Sequence, residues 1–246
     1  AILLDVSNLY RNGKCLSYKR DWENRKIVEE DVFDKFDYKV INELRCDIEE
    51  YSAQSSVNNK ERLFHQDSRT GITDKIMNNG IDLVITSPPY LNSRDYTDTY
   101  MLELKTLGFT NTTKQILELR QKTLRSHVQI RWSDLSCVDN QILKNTLKKL
   151  EEASKNTDKW NESLIDMVRL YFVDIEKIFR DLYVKMKPSG RIYFNVSNSA
   201  YFNVLIDTLE ICASIAEQEG FEVIEIRDAR KLKTRPQQQQ EDGKLL

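Results

Sequence analysis

The chain has 246 residues, of which 40% are hydrophobic and 31% are charged, and its formal net charge is -2. This composition is typical of a globular protein with one sizeable core and excludes a disordered chain. No apolar run approaches the roughly 20 residues of a membrane-spanning helix, and no signal peptide opens the sequence, so we expect neither a membrane protein nor a secreted one. The near-neutral charge argues against a uniformly basic nucleic-acid-binding surface but permits a local basic face.

The sequence predicts no metal site. Its cysteines stand far apart, without a CxxC pair or another zinc-ligand spacing, and it contains only two histidines. Widely spaced cysteines of this kind are typical of reduced thiols inside a cell.

The first long predicted element is a helix from Lys26 to Tyr51, where apolar residues recur at helical spacing. The residues before it are mixed and contain a predicted turn at 10–14. After the helix we expect a polar loop at 52–60, a short strand at 62–66, a loop at 67–71 and a short helical piece. Residues 1–59 are therefore interpreted as an N-terminal helical segment.

The next strand, Ile81–Thr86, follows a predicted turn at 78–80. It is β-branched and almost entirely apolar, which predicts a strand that is buried on both faces. The strand runs directly into Ser87-Pro88-Pro89-Tyr90.

The rest of the chain is predicted to complete an α/β fold. Residues 97–187 are expected to form a largely helical insert, apart from an irregular part at 128–140. A turn at 187–190, a strand at 191–196, a helix at 202–219 and a strand at 221–226 follow, and the glutamines at 237–240 read as a solvated loop. Strands alternating with helices favour a mainly parallel sheet with helices on its faces.

The tetrapeptide Ser87-Pro88-Pro89-Tyr90 stands where open α/β sheets place their ligands, at the carboxyl end of a strand. Two successive prolines remove two backbone donors and stiffen the loop, so that its carbonyls become fixed acceptors. The Ser87 hydroxyl and the Pro88 carbonyl are then suited to accept both hydrogens of an exocyclic base amine, which frees the amine lone pair for an electrophilic methyl group. The Tyr90 ring is suited to stack on an extruded base. The alternative is a rigid turn with a packed tyrosine.

With its flanking residues, this tetrapeptide resembles the catalytic motif of site-specific DNA amino-methyltransferases. The resembling sequence is Thr86-Ser87-Pro88-Pro89-Tyr90 with Leu91-Asn92-Ser93-Arg94-Asp95-Tyr96. The S-P-P-Y form is most similar to the cytosine-N4 branch, whereas adenine-N6 enzymes more often carry D-P-P-Y or N-P-P-Y. Residues 81–84, 187–193 and 220–223 also resemble family segments, and 65–69 resembles G-D-S-R with Gln66 in place of glycine. The resemblance covers about residues 60–240, and only S-P-P-Y is highly specific.

The resemblance implies a Rossmann-like methyltransferase sheet in residues 60–246, S-adenosylmethionine as cofactor and DNA as partner. It also implies a role in restriction–modification or host defence in the cytoplasm of a prokaryotic cell. The residues implied to hold the target base are Ser87, Pro88, Pro89 and Tyr90. Those implied at the cofactor are Asp67, Ser68 and Thr86, and those implied at the substrate pocket or its DNA-facing rim are Asn92, Arg94, Asp95 and Tyr96.

The glycine-rich loop that such enzymes use for the methionine end of the cofactor is missing from this sequence. None of the seven glycines lies two residues from another. We expect the loop before Ala1 in a longer polypeptide, with a permuted order after Leu246 or a partner subunit as alternatives.

The helical insert carries many basic residues, which predict either a DNA-contacting lobe or an ordinary solvated surface. They are Lys114, Arg120, Lys122, Arg125, Arg131, Lys144, Lys148 and Lys149, beside His127 and Trp132. Two further hypotheses stay open at this point, an adenine-N6 methyltransferase and a non-catalytic DNA-binding subunit.

Overall fold

A computed structural model describes residues 2–12, 15–54, 61–72, 75–91, 95–155 and 162–227. Its helices are α1 (Ile2–Asp5), α2 (Glu29–Lys39), α3 (Arg45–Gln54), α4 (Tyr96–Thr99), α5 (Met101–Thr106), α6 (Thr113–Gln121), α7 (Gln141–Ser154), α8 (Glu162–Lys185) and α9 (Thr208–Gln218), with a 3-10 turn at Trp22–Asn24 and a π turn at Val40–Leu44. Its strands are β1 (Leu9–Asn12), β2 (Cys15–Tyr18), β3 (Ile81–Thr86), β4 (Met186–Phe194), β5 (Ser199–Tyr201) and β6 (Val204–Ile206). None of the described helices is both long and apolar enough to cross a membrane.

The chain divides into two compact units. The first contains residues 1–64 and 95–116, and the second contains residues 65–94 and 117–246. The boundary at residue 64 lies near the predicted end of the N-terminal segment at residue 59, but the first unit also includes part of the predicted insert. The assignment of functions to segments 1–59 and 60–246 stays a prediction.

The first unit confirms the predicted N-terminal helix. The α2 helix, the π turn and α3 continue one another from Glu29 to Gln54, after an antiparallel hairpin of β1 and β2. Apolar side chains along this helical stretch are exposed, among them Phe33, Phe36, Leu44 and Ile48. Among the described residues, this helical stretch therefore carries a large exposed apolar surface.

The second unit contains the parallel pair that the sequence predicts. Residues 83–86 of β3 lie beside residues 191–194 of β4, and Ile81 lies opposite Met186. Between these pairs, Asp82 of β3 alone lies opposite four residues of β4, so the predicted turn at 187–190 is accommodated as a bulge within β4. The confirmed features are an α/β mixture, a parallel pair and a mostly helical insert; a full Rossmann-like sheet stays a prediction.

The expectation that β3 is buried on both faces is wrong for the described chain. Val84, with Ile192 and Phe194 of β4, packs against the hydrophobic core. On the opposite face, Leu83 is 51% exposed and Ile85 is 75% exposed. No described element covers this outer face, although its apolar side chains are typical of a sheet covered on both sides.

Three other predicted elements are wrong, and a fourth, the helix at 202–219, is confirmed with a later start. Residues 62–66 and 221–226 form no strand, and the described residues between 71 and 78 form no helix. Helix α9 begins at Thr208 rather than at 202, because β5 and β6 form a hairpin whose turn residues, Phe202 and Asn203, have φ values of 54° and 61°. Positive φ at both central residues matches the twist of a tight hairpin, but Phe202 gives no sequence signal for it.

The core of the second unit surrounds α8, which is the longest helix. Its most deeply buried side chains include Met167, Tyr171, Phe172 and Ile175, and α7, α9 and the inner face of the sheet pack around them. Such contiguous apolar burial is the main favourable contribution to folding.

A carboxylate is buried in the same helix. Asp174 is 1% exposed, and its Oδ1 accepts hydrogen bonds from Nε and Nη2 of Arg125 at 3.0 and 2.6 Å. The backbone N–H of Arg125 donates to Oδ2 at 3.0 Å, and Arg69 Nη1 lies 3.5 Å from that oxygen. Arg125 itself is 5% exposed. Removing one partner of such a pair leaves an uncompensated buried charge.

We expect Asp174→Asn to lower the free energy of unfolding by about 3–5 kcal/mol, because the buried guanidinium of Arg125 loses its fully buried carboxylate partner and keeps only the half-buried Asp134. Urea denaturation monitored by circular dichroism measures the change. The control is Glu176→Gln on the same helix, whose carboxylate lies 3.4 Å from the exposed Arg180; it should cost less than about 1 kcal/mol. Equal effects of the two substitutions would contradict the prediction.

Candidate active site

The predicted tetrapeptide lies at the carboxyl end of the parallel pair. Ser87 directly follows β3, and the backbone N–H of Asn195, which directly follows β4, donates to the carbonyl of Thr86 at 2.9 Å. The two strands therefore deliver Ser87 and Asn195 to the same edge of the sheet, which is the edge where open α/β sheets bind their ligands.

Three polar side chains meet at this edge. Asn195 Nδ2 donates to the Tyr90 hydroxyl at 3.0 Å and more weakly to Ser87 Oγ at 3.4 Å. Ser87 Oγ donates to the Tyr90 hydroxyl at 3.3 Å. Ser87 and Asn195 are exposed and Tyr90 is half-buried, so this cluster of Ser87, Tyr90 and Asn195 is accessible to a ligand.

The loop after the cluster is fixed to the hairpin of β5 and β6. Leu91 is 2% exposed, and its carbonyl accepts hydrogen bonds from Ser199 Oγ at 3.3 Å and from the Tyr201 hydroxyl at 3.0 Å. Pro88 and Pro89 are half-buried, and each lacks a backbone donor. The motif is therefore held at both ends, by β3 and by Leu91.

A buried tyrosine lies near the motif. The hydroxyl of Tyr171, on α8, has no hydrogen-bond partner among the described residues. Burial raises its pKa well above the ordinary value, and Cys212 and Tyr90 add smaller contributions. The hydroxyl therefore stays neutral.

Two of the residues predicted at the cofactor lie on the loop at 67–71. Asp67 accepts hydrogen bonds from Arg69 Nη2 at 2.6 Å and from the backbone N–H of Arg69 at 2.9 Å. The side-chain hydrogen bond with Arg69 lowers the pKa of Asp67 and outweighs the opposing effect of burial. Ser68 is exposed. Asp67 thus belongs to the charged network around Asp174, and its role at a cofactor stays a prediction.

The charged network borders an open cavity of about 220 Å³. Its lining consists of Arg69, Thr70, Arg125, Trp132, Asp174 and Lys177. This volume is below the roughly 300 Å³ at which small-molecule sites begin.

The residues predicted at the substrate fall into two groups. Asn92 and Arg94 lie outside the described residues. Asp95 and Tyr96 belong to the first unit. Asp95 caps α4, its Oδ1 accepting a hydrogen bond from the backbone N–H of Thr97 at 2.8 Å, and Tyr96 stacks on Tyr100 with ring centroids 6.2 Å apart. Their contact with a substrate stays a prediction.

The structure corrects part of the basic set in the insert. Arg125 and His127 are 5% and 3% exposed, so neither presents its side chain to a phosphate. Arg125 is held by Asp174 and by Asp134, whose Oδ2 lies 2.6 Å from Nη1. Lys148 and Lys149 of α7 are exposed. The described residues contain no cluster of histidine, cysteine or acidic side chains that could hold a metal ion.

Sequence reasoning missed Asn195. Asn195 lies in the predicted strand at 191–196. A polar residue near the carboxyl end of a strand parallel to β3 reaches the same sheet edge as Ser87, and this position indicates a site residue. Recognising it requires the register of β3 against β4, which pairs Thr86 with Phe194.

The chain is similar to curated type II methyltransferases. It is 27% identical to M.BsoBI of Geobacillus stearothermophilus, in an alignment that covers 97% of this chain and 54% of that protein. It is 30% identical over 230 residues to M.AvaI of Nostoc sp. and of Anabaena variabilis, with 89% of this chain and 45% of each relative covered. The chain therefore spans about half the length of the curated relatives it matches. No protein-family model and no solved structure matches it.

The charged network predicts a loss of stability in acid. Hydrogen bonds from Arg69 lower the pKa of Asp67, and those from Ser136 and then Arg125 lower the pKa of Asp134 well below its usual range. A carboxyl group whose pKa is lower in the folded than in the unfolded state adds stability above about pH 4, and this stability is lost as the pH falls through the folded pKa.

We therefore expect the double variant Asp67→Asn/Asp134→Asn to be less stable than the wild type at about pH 7, with a difference that shrinks below about pH 4. Urea denaturation at a series of pH values measures both curves. A difference that stays constant down to about pH 2 would show that these carboxylates gain nothing from their partners in the folded state.

Proposed function

We propose that this chain is the catalytic part of a DNA methyltransferase of a type II restriction–modification system, which transfers a methyl group to the exocyclic amine of a flipped base. The single observation that carries the proposal is the cluster of Ser87, Tyr90 and Asn195 at the carboxyl end of two parallel strands. The similarity to type II methyltransferases over most of the chain supports it.

The site offers hydrogen-bond acceptors that can activate an exocyclic amine for methyl transfer. The lone pair of an exocyclic amine is delocalised into the base, and acceptors for both amine hydrogens favour a pyramidal nitrogen with a directed lone pair. Ser87 Oγ and the Pro88 carbonyl are such acceptors on a rigid loop. Tyr90 offers a ring on which an extruded base stacks, a contact worth roughly 1–3 kcal/mol. Positioning and preorganised hydrogen bonds are then the chain's contribution to the rate.

We favour cytosine N4 as the target over adenine N6. Cytosine and adenine both present an amine next to a ring nitrogen, so the hydrogen-bond pattern of the cluster suits either base. The serine at the first position of Ser87-Pro88-Pro89-Tyr90 supports cytosine, since it is the form that resembles the cytosine-N4 branch.

The described residues do not by themselves provide a complete site for S-adenosylmethionine, the cofactor that would supply an electrophilic methyl group. No glycine-rich turn is present in the sequence, and the carboxylate of Asp67 is already bound by Arg69. We propose that the cofactor is held mainly by a further region, of the same chain or of a partner, that carries the glycine-rich loop. Two observations support this region: the unmatched half of the relatives, and the exposed outer face with Leu83 and Ile85.

We expect Ser87→Ala to lower methyl transfer by about a hundredfold or more and Tyr90→Ala by about tenfold or more, because each removes a preorganised contact to the reacting base. DNA binding should be largely retained, since contacts to phosphates supply most of the affinity of DNA-binding proteins and neither substitution changes a charge. The assay uses the complete natural polypeptide or complex that contains this sequence. Methylated nucleosides are identified by mass spectrometry after digestion of the DNA.

The matched control is Ser189→Ala, an exposed serine in the bulge of β4, which should leave the activity unchanged. N6-methyladenine as the only product would overturn the choice of cytosine. A wild type that binds DNA without methylating it would favour the alternative of a non-catalytic DNA-binding subunit.

For the 246-residue chain alone, calorimetric titration with S-adenosylmethionine should show no saturable binding at micromolar concentrations. The complete natural polypeptide or complex should bind, because it adds the glycine-rich loop. Micromolar binding by the isolated chain would instead mean that it builds a cofactor site without that loop, and the proposed further region would be unnecessary.

A further inference from the structure

We propose that Asn195 is a positioning residue that makes Ser87 a hydrogen-bond acceptor toward the target amine. This inference rests on the proposed methyl transfer and adds to it a residue from the second strand. It assigns Asn195 no direct role in bond making, since the residue acts through the hydroxyl groups of Ser87 and Tyr90.

The position of Asn195 is fixed by its backbone. Its N–H donates to the Thr86 carbonyl at 2.9 Å, which extends the β3–β4 pairing by one bond beyond Phe194. An asparagine side chain has only two rotatable bonds, so its amide is aimed with little freedom. That amide reaches two oxygens of the motif, at 3.0 Å for Tyr90 and 3.4 Å for Ser87.

The direction of the hydrogen bonds determines what Ser87 can offer. A hydroxyl group has one hydrogen and two lone pairs, and the hydrogen rotates to the best acceptor. Ser87 Oγ lies 3.3 Å from the Tyr90 oxygen, and Asn195 Nδ2 can only donate. In the arrangement that we propose, the hydrogen of Ser87 is directed to the Tyr90 oxygen. Ser87 therefore turns a free lone pair, and not its hydrogen, toward an incoming amine.

The same amide holds the Tyr90 ring. The phenol oxygen lies at the end of the ring plane and accepts from both Asn195 and Ser87. Both hydrogen bonds go to the phenol oxygen and not to the ring, so they orient the ring without using its stacking surface. Asn195 thus couples the acceptor and the stacking platform of the site.

An aspartate at this position would have the opposite effect. Its carboxylate has nearly the same shape as the amide but accepts hydrogen bonds only. Both hydroxyl groups would then turn their hydrogens toward residue 195, and the Ser87–Tyr90 hydrogen bond would compete with the new ones. Asn195→Asp therefore tests the direction of the hydrogen bonds at nearly constant volume.

In the complete natural polypeptide or complex, we expect Asn195→Asp to lower kcat for methyl transfer by at least about tenfold. The KM values for DNA and for S-adenosylmethionine should change less than about twofold. Base flipping, followed by the fluorescence of 2-aminopurine at the target position, should be retained. The matched control is Asn78→Asp, an exposed asparagine in the turn before β3 whose Oδ1 accepts from Lys185; its kcat should equal that of the wild type.

A double-mutant cycle separates positioning from a merely structural effect. Asn195 acts in part through the Tyr90 hydroxyl, so Asn195→Asp combined with Tyr90→Phe should cost less than the product of the two single losses. Asn195→Ser, which keeps one donor in a smaller side chain, should be less impaired than Asn195→Asp and provides a second variant if the aspartate protein fails to fold.

The results distinguish the two proposals. An active wild type whose Asn195→Asp and Asn195→Ser variants keep full kcat would overturn the role of Asn195 and leave the proposed function intact. Strictly multiplicative losses in the cycle, or losses confined to KM, would also overturn it. A wild type that transfers no methyl group would overturn the proposed function itself, and the role of Asn195 with it.

Discussion

The buried carboxylate of Asp174 connects three separate parts of the second unit. It lies on α8, binds Arg125 from the connection between α6 and α7, and is approached by Arg69 from the loop at 67–71. A charge at this depth requires partners, because an unpaired ion in the interior costs several kcal/mol. The packing of α8 in the core therefore also fixes where the two loops lie. The side chain of Arg125 stabilises the fold through Asp174 and is not available to bind a ligand.

At the carboxyl edge of the parallel pair, the side chains are held by backbone hydrogen bonds and by exposed hydroxyl groups, and not by a buried ion pair. The polar groups of Ser87 and Asn195 are exposed at the strand ends, whereas Leu91 is buried and bonded to β5. The site is thus rigid at its base and open at its surface. That combination suits the capture of a flat base, because the geometry exists before the ligand arrives and little ordering is required on binding.

Local patterns predicted the features that local interactions determine. The periodic apolar residues of 26–51 gave the right helix, and the apolar run before Ser87 gave the right strand. The predicted strands at 62–66 and 221–226 are wrong because a strand forms only where a partner strand lies alongside it, and the apolar pattern of a segment does not reveal its partner. Asn195 was missed for a similar reason, since its role depends on the register between β3 and β4. Arg125 was read as a basic surface residue because its partner, Asp174, lies 49 positions away.

The outer face of β3 exposes apolar side chains, and the curated relatives contain a large part that this chain does not match. A parallel sheet with apolar side chains on both faces is expected to be covered on both. In the part of the chain that the structure describes, however, the parallel pair has two strands, and Leu83 and Ile85 remain exposed. The curated relatives are about twice as long as their matched part. A further region that covers this face would bury apolar surface and bring its own loops to the neighbourhood of the sheet. Stability and cofactor binding would then depend on the same contact, so weakening the outer face should impair both together.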